Sequence, residues 1–285
     1  MRVGVQLPEV ERVVRWPEML AIAQTVEDAG FDSIWVGDHL LYRDESSERG
    51  PLDAWTQLAA LAASTSRVTL GPLVAATAFH APGIIARMSA SIAEVSGGRF
   101  VLGIGAGWNE PEFRAFGFPY DHLASRFVES FEVVRRLLAA ERVTLDGTYV
   151  SVADAVVLPP PAQRVPIMIG SKGSRVLEAS LAHVDAWNAW YSWYGNSPEG
   201  FARERAKVDE ICRRVGRDVA TLKRSACVLV SLEGTSRQRR YECDPVSVRG
   251  LRDHLAALAS AGVDEAILVL DPIDEGSVRT AGRMR

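Results

Sequence analysis

The chain is short of lysine, of cysteine and of long runs of any one kind. Only Lys172, Lys207 and Lys223 are lysines among 32 basic residues, so Schiff-base chemistry has few candidates to draw on. The three cysteines, Cys212, Cys227 and Cys243, are odd in number and lack Cys-x-x-Cys spacing. That argues against a disulfide framework and a zinc knot and leaves plain thiols. No run of like charges exceeds two residues, and the formal net charge is −4. Such a balance offers no electrostatic footprint to nucleic acid or an anionic membrane. No apolar run approaches the length of a membrane span, and the opening Met1 to Pro8 carries too short an apolar stretch for a signal peptide. A cytoplasmic protein with small-molecule partners is expected. His-Glu-x-x-His, Gly-x-Ser-x-Gly and Gly-x-x-x-x-Gly-Lys-Ser/Thr are all missing. No bound metal, nucleophile elbow or P-loop is therefore expected.

What is present is an alternation of short β-branched runs with helix-period stretches from end to end. With 47% hydrophobic residues in 285, one large core is affordable. Eight strand-helix units can be placed. The strands are Arg2 to Leu7, Ser33 to Gly37, Val68 to Val74, Phe100 to Gly105, Pro166 to Gly170, Asp185 to Asn188, Arg224 to Leu232 and Glu265 to Leu270. Helices are expected at Trp16 to Ala29, Asp53 to Ser64, Pro82 to Gly97, Leu123 to Ala140, Ser174 to His183, Pro198 to Val215 and Val246 to Ala261. Arg142 to Val157 suits a hairpin around Asp146-Gly147, and Arg279 to Arg285 is expected to fray. The pattern predicts an α/β protein, a single-domain (β/α)₈ barrel over 1–285, with an open doubly wound sheet as the alternative. In either, the chemistry belongs just after the strand ends.

The second strand runs into Gly37-Asp38-His39, a carboxylate and an imidazole able to exchange a proton near neutral pH. A hydrogen-bonded structural histidine is the competing reading. The fourth ends in Gly103-Ile104-Gly105-Ala106-Gly107-Trp108-Asn109-Glu110. Its glycines allow close approach of a flat or anionic ligand, or merely tight packing, and the spacing is not Gly-x-Gly-x-x-Gly. The fifth ends in Gly170-Ser171-Lys172-Gly173-Ser174 at a helix start, which suits a phosphate, with capping by Ser171 or Ser174 as the alternative. The sixth leads into Trp187, Trp190, Tyr191, Trp193 and Tyr194, an aromatic wall suited to a planar ring or an apolar substrate, beyond what core packing needs.

Together these segments resemble the luciferase-like monooxygenase superfamily, and within it the branch that uses the deazaflavin coenzyme F-420. The resemblance spans nearly the whole barrel and is most specific in Gly30 to His39, Leu70 to Val74 and Ser96 to Trp108, with Asn109 to Gly117 and Trp187-Asn188 in support. It implies a barrel enzyme in which hydride moves to or from carbon 5 of a ring lying over a bulge in strand three. A non-prolyl cis peptide would fall at Leu73-Val74. Asp38 and His39 would face the ring, with His39 as proton donor. Gly105, Ala106, Gly107 and Asn109 would line the cofactor, and Gly170, Ser171, Lys172 and Gly173 would hold its phosphate. Trp108, Trp190 and Trp193 are assigned to the substrate. Pro72 and His80 depart from the family pattern, which often has threonine and arginine there.

Four functions follow. The first is an oxidoreductase moving hydride between coenzyme F-420 and an organic substrate. Lys172, Arg175 and His80 would meet its acidic tail, and the arginine-rich composition fits an actinobacterial genome. The second is a monooxygenase using reduced FMN and oxygen, since one fold serves both. The third is a non-catalytic flavin binder. The fourth, a phosphate-binding isomerase, has only His39 and Glu110 to offer as an acid/base pair. The family resemblance further implies a homodimer. The substrate would meet the loops Leu41 to Leu52, Arg142 to Val157 and Trp190 to Phe201.

Overall fold

A computed structural model describes residues 1–43, 48–234 and 237–285. Eight parallel strands form its centre: β1 (Arg2–Gln6), β2 (Ser33–Val36), β3 (Thr69–Pro72, resuming at Ala75–Ala76), β4 (Leu102–Gly105), β5 (Ile167–Gly170), β6 (Ala186–Ala189), β7 (Lys223–Ser231) and β8 (Glu265–Asp271). β1 pairs with both β8 and β2, and each later strand pairs with the next in sequence. The ring closes because β3 faces two ways. Its first half pairs with β2, and the resumed half sets Ala75 against Ile104 and Ala76 against Gly105 of β4. The architecture is thus the closed (β/α)₈ barrel, not the open sheet.

The helices are α1 (Trp16–Asp28), α2 (Ala54–Ser64), α3 (Pro82–Val95), α4 (Glu110–Phe116), α5 (Leu123–Leu138), α6 (Ser174–Ser180), α7 (Pro198–Arg214), α8 (Leu251–Ser260) and α9 (Glu275–Met284). Their ends follow local chemistry. Asp53, Ser197 and Asp274 cap α2, α7 and α9 by accepting backbone N–H bonds, each worth about 1 kcal/mol. β7 and β8 are buried along almost their whole length, as strands covered on both faces should be. α5 lays Phe127, Phe131, Val134 and Leu138 inward at helical spacing. Around the N-terminal end of the barrel, the Arg99 guanidinium donates to the carbonyls of Ser96, Val68, Ala62 and Thr65. One side chain thereby joins α2, α3 and the strands on either side of them.

Several expectations need correction. The C-terminus does not fray: Asp274 starts α9, and Val278 and Ala281 bury against the barrel. Val246 and Ser247 form a short extension beside β7 and Val248–Gly250 a 3-10 turn, so α8 begins only at Leu251. α6 stops at Ser180. The expected hairpin forms, Val143–Asp146 against Ser151–Ala155. Its turn is held by Glu129, which accepts the N–H groups of Thr148, Tyr149 and Val150. The Leu73–Val74 peptide is cis, where the resemblance put it. The three cysteines are free thiols.

Candidate active site

The C-terminal mouth of the barrel gathers the polar side chains of the β1, β2 and β4 loops. Asp38, 4% exposed, accepts a hydrogen bond from Ala76 N at 3.0 Å, tying the end of β2 to the resumed half of β3. Burial pushes its pKa up to about 7, against the opposing pull of that hydrogen bond and of His39. The neighbouring imidazole is held from two sides. His39 Nδ1 lies 2.9 Å from Glu112 Oε1, and Nε2 lies 3.1 Å from the Tyr42 hydroxyl and 3.5 Å from Glu9 Oε1. Burial opposes the charged ring, but Glu9, Glu112 and Asp38 outweigh it, and the His39 pKa is raised. Gln6, at the end of β1, donates to the other Glu9 oxygen at 3.0 Å. Trp108 stands over this group, its ring edge-on to His39 at 5.8 Å and to Tyr42 at 6.0 Å.

Glu9, Tyr42 and Glu112 are site residues that sequence reasoning missed. Glu110, weighed as the acid/base partner of His39, instead pairs with Arg114 at 2.6 Å on the outer face of α4. Two positions on, the helical turn carries Glu112 inward, where it and Phe113 are buried. The signal was present in the Pro at the first turn and the Glu-Phe pair after it, but a seven-residue helix gives periodicity little to work on.

The glycines of β4 serve packing around the bulge. A Cβ on Gly103 would run into the Pro72 carbonyl, and one on Gly105 would come 2.9 Å from Val74 and 3.0 Å from the Gly170 carbonyl. A Cβ on Gly170 would come 2.8 Å from Val74. Val74 therefore fills the space these three residues leave, and Val74, Gly103, Gly105 and Gly170 form one contact set. Beyond it, Ala106 and Gly107 are half-buried, and Gly107 takes φ +83°, a conformation glycine tolerates. The Asn109 amide donates to the Leu41 carbonyl at 2.9 Å, a structural commitment that pins the β2 loop to the start of α4.

The loop after β5 is more open. Lys172 and Gly173 are exposed, Ser171 Oγ accepts the Gly173 N–H at 3.1 Å, and no side chain caps α6, so capping by Ser171 or Ser174 is not what these residues do. Trp187 donates its indole N–H to the Ser171 carbonyl, and Lys172 lies over the Trp193 ring at 6.0 Å. Trp190 and Trp193 are half-buried against the core, Trp190 packing on Tyr191 at 4.5 Å. His80 is not with Lys172. It lines a separate cavity of about 340 Å³ with Thr77, Phe79, Phe118, Arg126 and Tyr149. Burial lowers its pKa, so it is a poor cation for an acidic tail near neutral pH. The loop from 41 to 52 includes residues 44–47, which lie outside the described residues. Among the described residues no helix is long and apolar enough to cross a membrane, and no group of three His, Cys, Asp or Glu side chains is placed to hold a metal.

A closed parallel barrel with ionisable side chains gathered at the strand C-termini defines a (β/α)₈ protein, a fold whose ligand sites lie at that face. The chain belongs to the luciferase-like monooxygenase family, whose pattern matches residues 1–268. It is 38% identical over 160 residues to an F420-dependent glucose-6-phosphate dehydrogenase of Microbacterium testaceum, covering 55% of this chain and 47% of that one. It is 32% identical over 175 residues to the pyrimidine monooxygenase RutA of Klebsiella pneumoniae, covering 60% and 48%. The chain thus spans about half the length of these relatives. An F420-dependent secondary alcohol dehydrogenase, solved with an F420-acetone adduct, superposes with a TM-score of 0.83 over 100% of this chain and 98% of that one. At 18% identity that likeness speaks for the fold alone.

Proposed function

We propose that the chain is an oxidoreductase that moves hydride between coenzyme F-420 and an organic substrate, with His39 taking or giving the accompanying proton. The observation that carries the reading is the held imidazole: a histidine at a strand C-terminus, with Glu112 at its Nδ1 edge, Tyr42 and Glu9 at its Nε2 edge, and Trp108 beside it. Its raised pKa makes it a stronger base than free imidazole, suited to removing a hydroxyl proton as a substrate carbon gives up hydride.

The residues fit the coenzyme. Ala106 and Gly107 offer half-open backbone beside the Leu73-Val74 bulge, a surface a flat ring can approach. Asp38 is poised to lose its charge near neutral pH and so need not repel an electron-rich ring. Gly170, Ser171, Lys172 and Gly173, with one exposed cation on an open loop, would hold an anionic tail. When bound, the deazaflavin supplies the carbon that accepts or delivers hydride. Trp108, Trp190 and Trp193 would shelter the substrate from water. The match to the F420-dependent dehydrogenase supports the coenzyme, and the match to RutA keeps an FMN-dependent monooxygenase as the second reading. A cytoplasmic homodimer completes the proposal, with exposed Ile84 and Val95 offering an apolar face on α3.

The test is anaerobic mixing of the protein and oxidised coenzyme with a panel of primary and secondary alcohols and aldoses, followed by the bleaching of the coenzyme. His39→Ala should bind coenzyme like the parent and bleach it about 10²-fold more slowly. Equal rates would remove His39 from the role.

A further inference from the structure

We propose that Glu112 is a positioning residue that fixes the proton of neutral His39 on Nδ1, leaving Nε2 as the nitrogen that exchanges a proton with substrate. The inference rests on the reading of His39 given above. It starts from what Glu112 touches. Its side chain is 1% exposed, and its two oxygens meet the His39 ring and the backbone N–H groups of the next two residues, Leu40 and Leu41. Oε1 faces His39 Nδ1 at 2.9 Å, while Oε2 accepts from Leu40 N at 2.8 Å and Leu41 N at 3.3 Å.

Two of those donors are backbone amides that have no other protonation state. They occupy Oε2 as an acceptor, and a carboxylate can only accept. The remaining oxygen therefore needs a donor, and Nδ1 must carry hydrogen whether the ring is neutral or charged. That decides the tautomer: neutral His39 has its lone pair on Nε2. Tyr42 meets this nitrogen with a group that can adapt. Its hydroxyl donates to Nε2 when the ring is neutral and accepts from Nε2–H when it is charged. Glu9 Oε1, at 3.5 Å from the same nitrogen, favours the charged state, and Asp38 lies next in the chain. The group is an imidazole with one nitrogen clamped and one working, the clamp arriving from α4 of a different strand-helix unit.

The test is a long-range proton–nitrogen correlation spectrum of protein labelled at histidine, recorded without coenzyme. The His39 resonances are assigned by their loss in His39→Gln. Above its titration, wild-type His39 should be the Nδ1–H tautomer. In Glu112→Gln the amide oxygen can serve Leu40 and Leu41 while its NH₂ faces Nδ1, so His39 should switch to the Nε2–H tautomer and titrate at lower pH. In turnover, Glu112→Gln should lower kcat about 10²-fold with KM within a factor of about three, and Glu112→Asp should recover part of the loss. An Nε2–H tautomer in the wild type overturns the assignment whether or not any variant folds. An unchanged tautomer in folded Glu112→Gln also overturns it. The spectrum needs no substrate, so the tautomer can stand even if no alcohol is oxidised, and that second failure would count against the functional reading alone.

Discussion

Asp38 Oδ2 and Ala76 N, 3.0 Å apart, join β2 to the far side of the β3 bulge, and the carboxyl that makes the bond is buried. Because burial raises its pKa to about 7, the folded protein keeps a proton that the unfolded chain, with an aspartate pKa of about 3.9, has released. Stability therefore falls as pH climbs from about 4 to about 7, by up to on the order of 4 kcal/mol. His39 acts in the same sense: its raised pKa means a stabilisation present at acid pH and lost as pH rises through the folded value. Glu27 opposes this at low pH. Burial works against its charge, but the N–H groups of Arg67, Val68 and Ser66 outweigh it and lower the pKa, so its stabilisation is lost as pH falls through that range. A thermal-melt series should peak at roughly pH 4 to 5 and decline towards neutrality. Asp38→Asn should flatten the descent towards neutrality, and a descent of unchanged slope would contradict the assignment.

The bulge sets an order among glycine substitutions. Gly170→Ala presses only on the Val74 side chain and should cost about 1–3 kcal/mol, and Gly105→Ala, which also nears the Gly170 carbonyl, should cost somewhat more. Gly103→Ala meets the Pro72 carbonyl, which is backbone and cannot step aside, so it should cost more or prevent folding. Combining Gly170→Ala with Val74→Ala should recover part of the single-variant loss. Urea unfolding of the series gives the ranking directly.

Arg99 is the corresponding point at the other end of the barrel. Arg99→Ala leaves the carbonyls of Ala62, Thr65, Val68 and Ser96 without their charged donor and should cost about 2–4 kcal/mol. Arg99→Lys should rescue little, since one ammonium cannot span carbonyls on both sides of a planar fork. The check is a lower urea midpoint with an unchanged slope.

Trp108 gives the opposite profile. The residue is 62% exposed, and its ring contacts His39 and Tyr42 edge-on. Trp108→Ala should leave the melting temperature within the small range of surface changes, about 0.5 kcal/mol. It should raise the KM of a productive substrate several-fold, and an unchanged KM would remove it from the substrate wall.

Much of the barrel was legible because its strands are short apolar runs with breakers at their ends, the two signals a sequence carries most clearly. β7 and β8 are examples, with Ser231 and Asp271 closing nearly continuous buried stretches. β3 was only half legible. Val68 to Val74 reads as one strand, yet the chain leaves the sheet at Leu73 and Val74 and rejoins it on another partner, a break no periodicity records. Among the candidate site residues, Asp38, His39, Val74 and Gly170 were visible as strand-end residues. Glu9 and Glu112 were not, because each joins the site through a fold contact with a different unit. His80 shows the reverse error: its residue type suggested a cation, and its partial burial lowers its pKa.

The most direct test of the central claim is a paired titration of the purified protein with oxidised coenzyme F-420 and with FMN, followed by fluorescence at matched ionic strength. Saturable binding of the deazaflavin, weakened by Lys172→Ala, with FMN bound more weakly, is the expected result. Preference for FMN would favour the monooxygenase reading, and binding of neither would contradict the proposed function at its root.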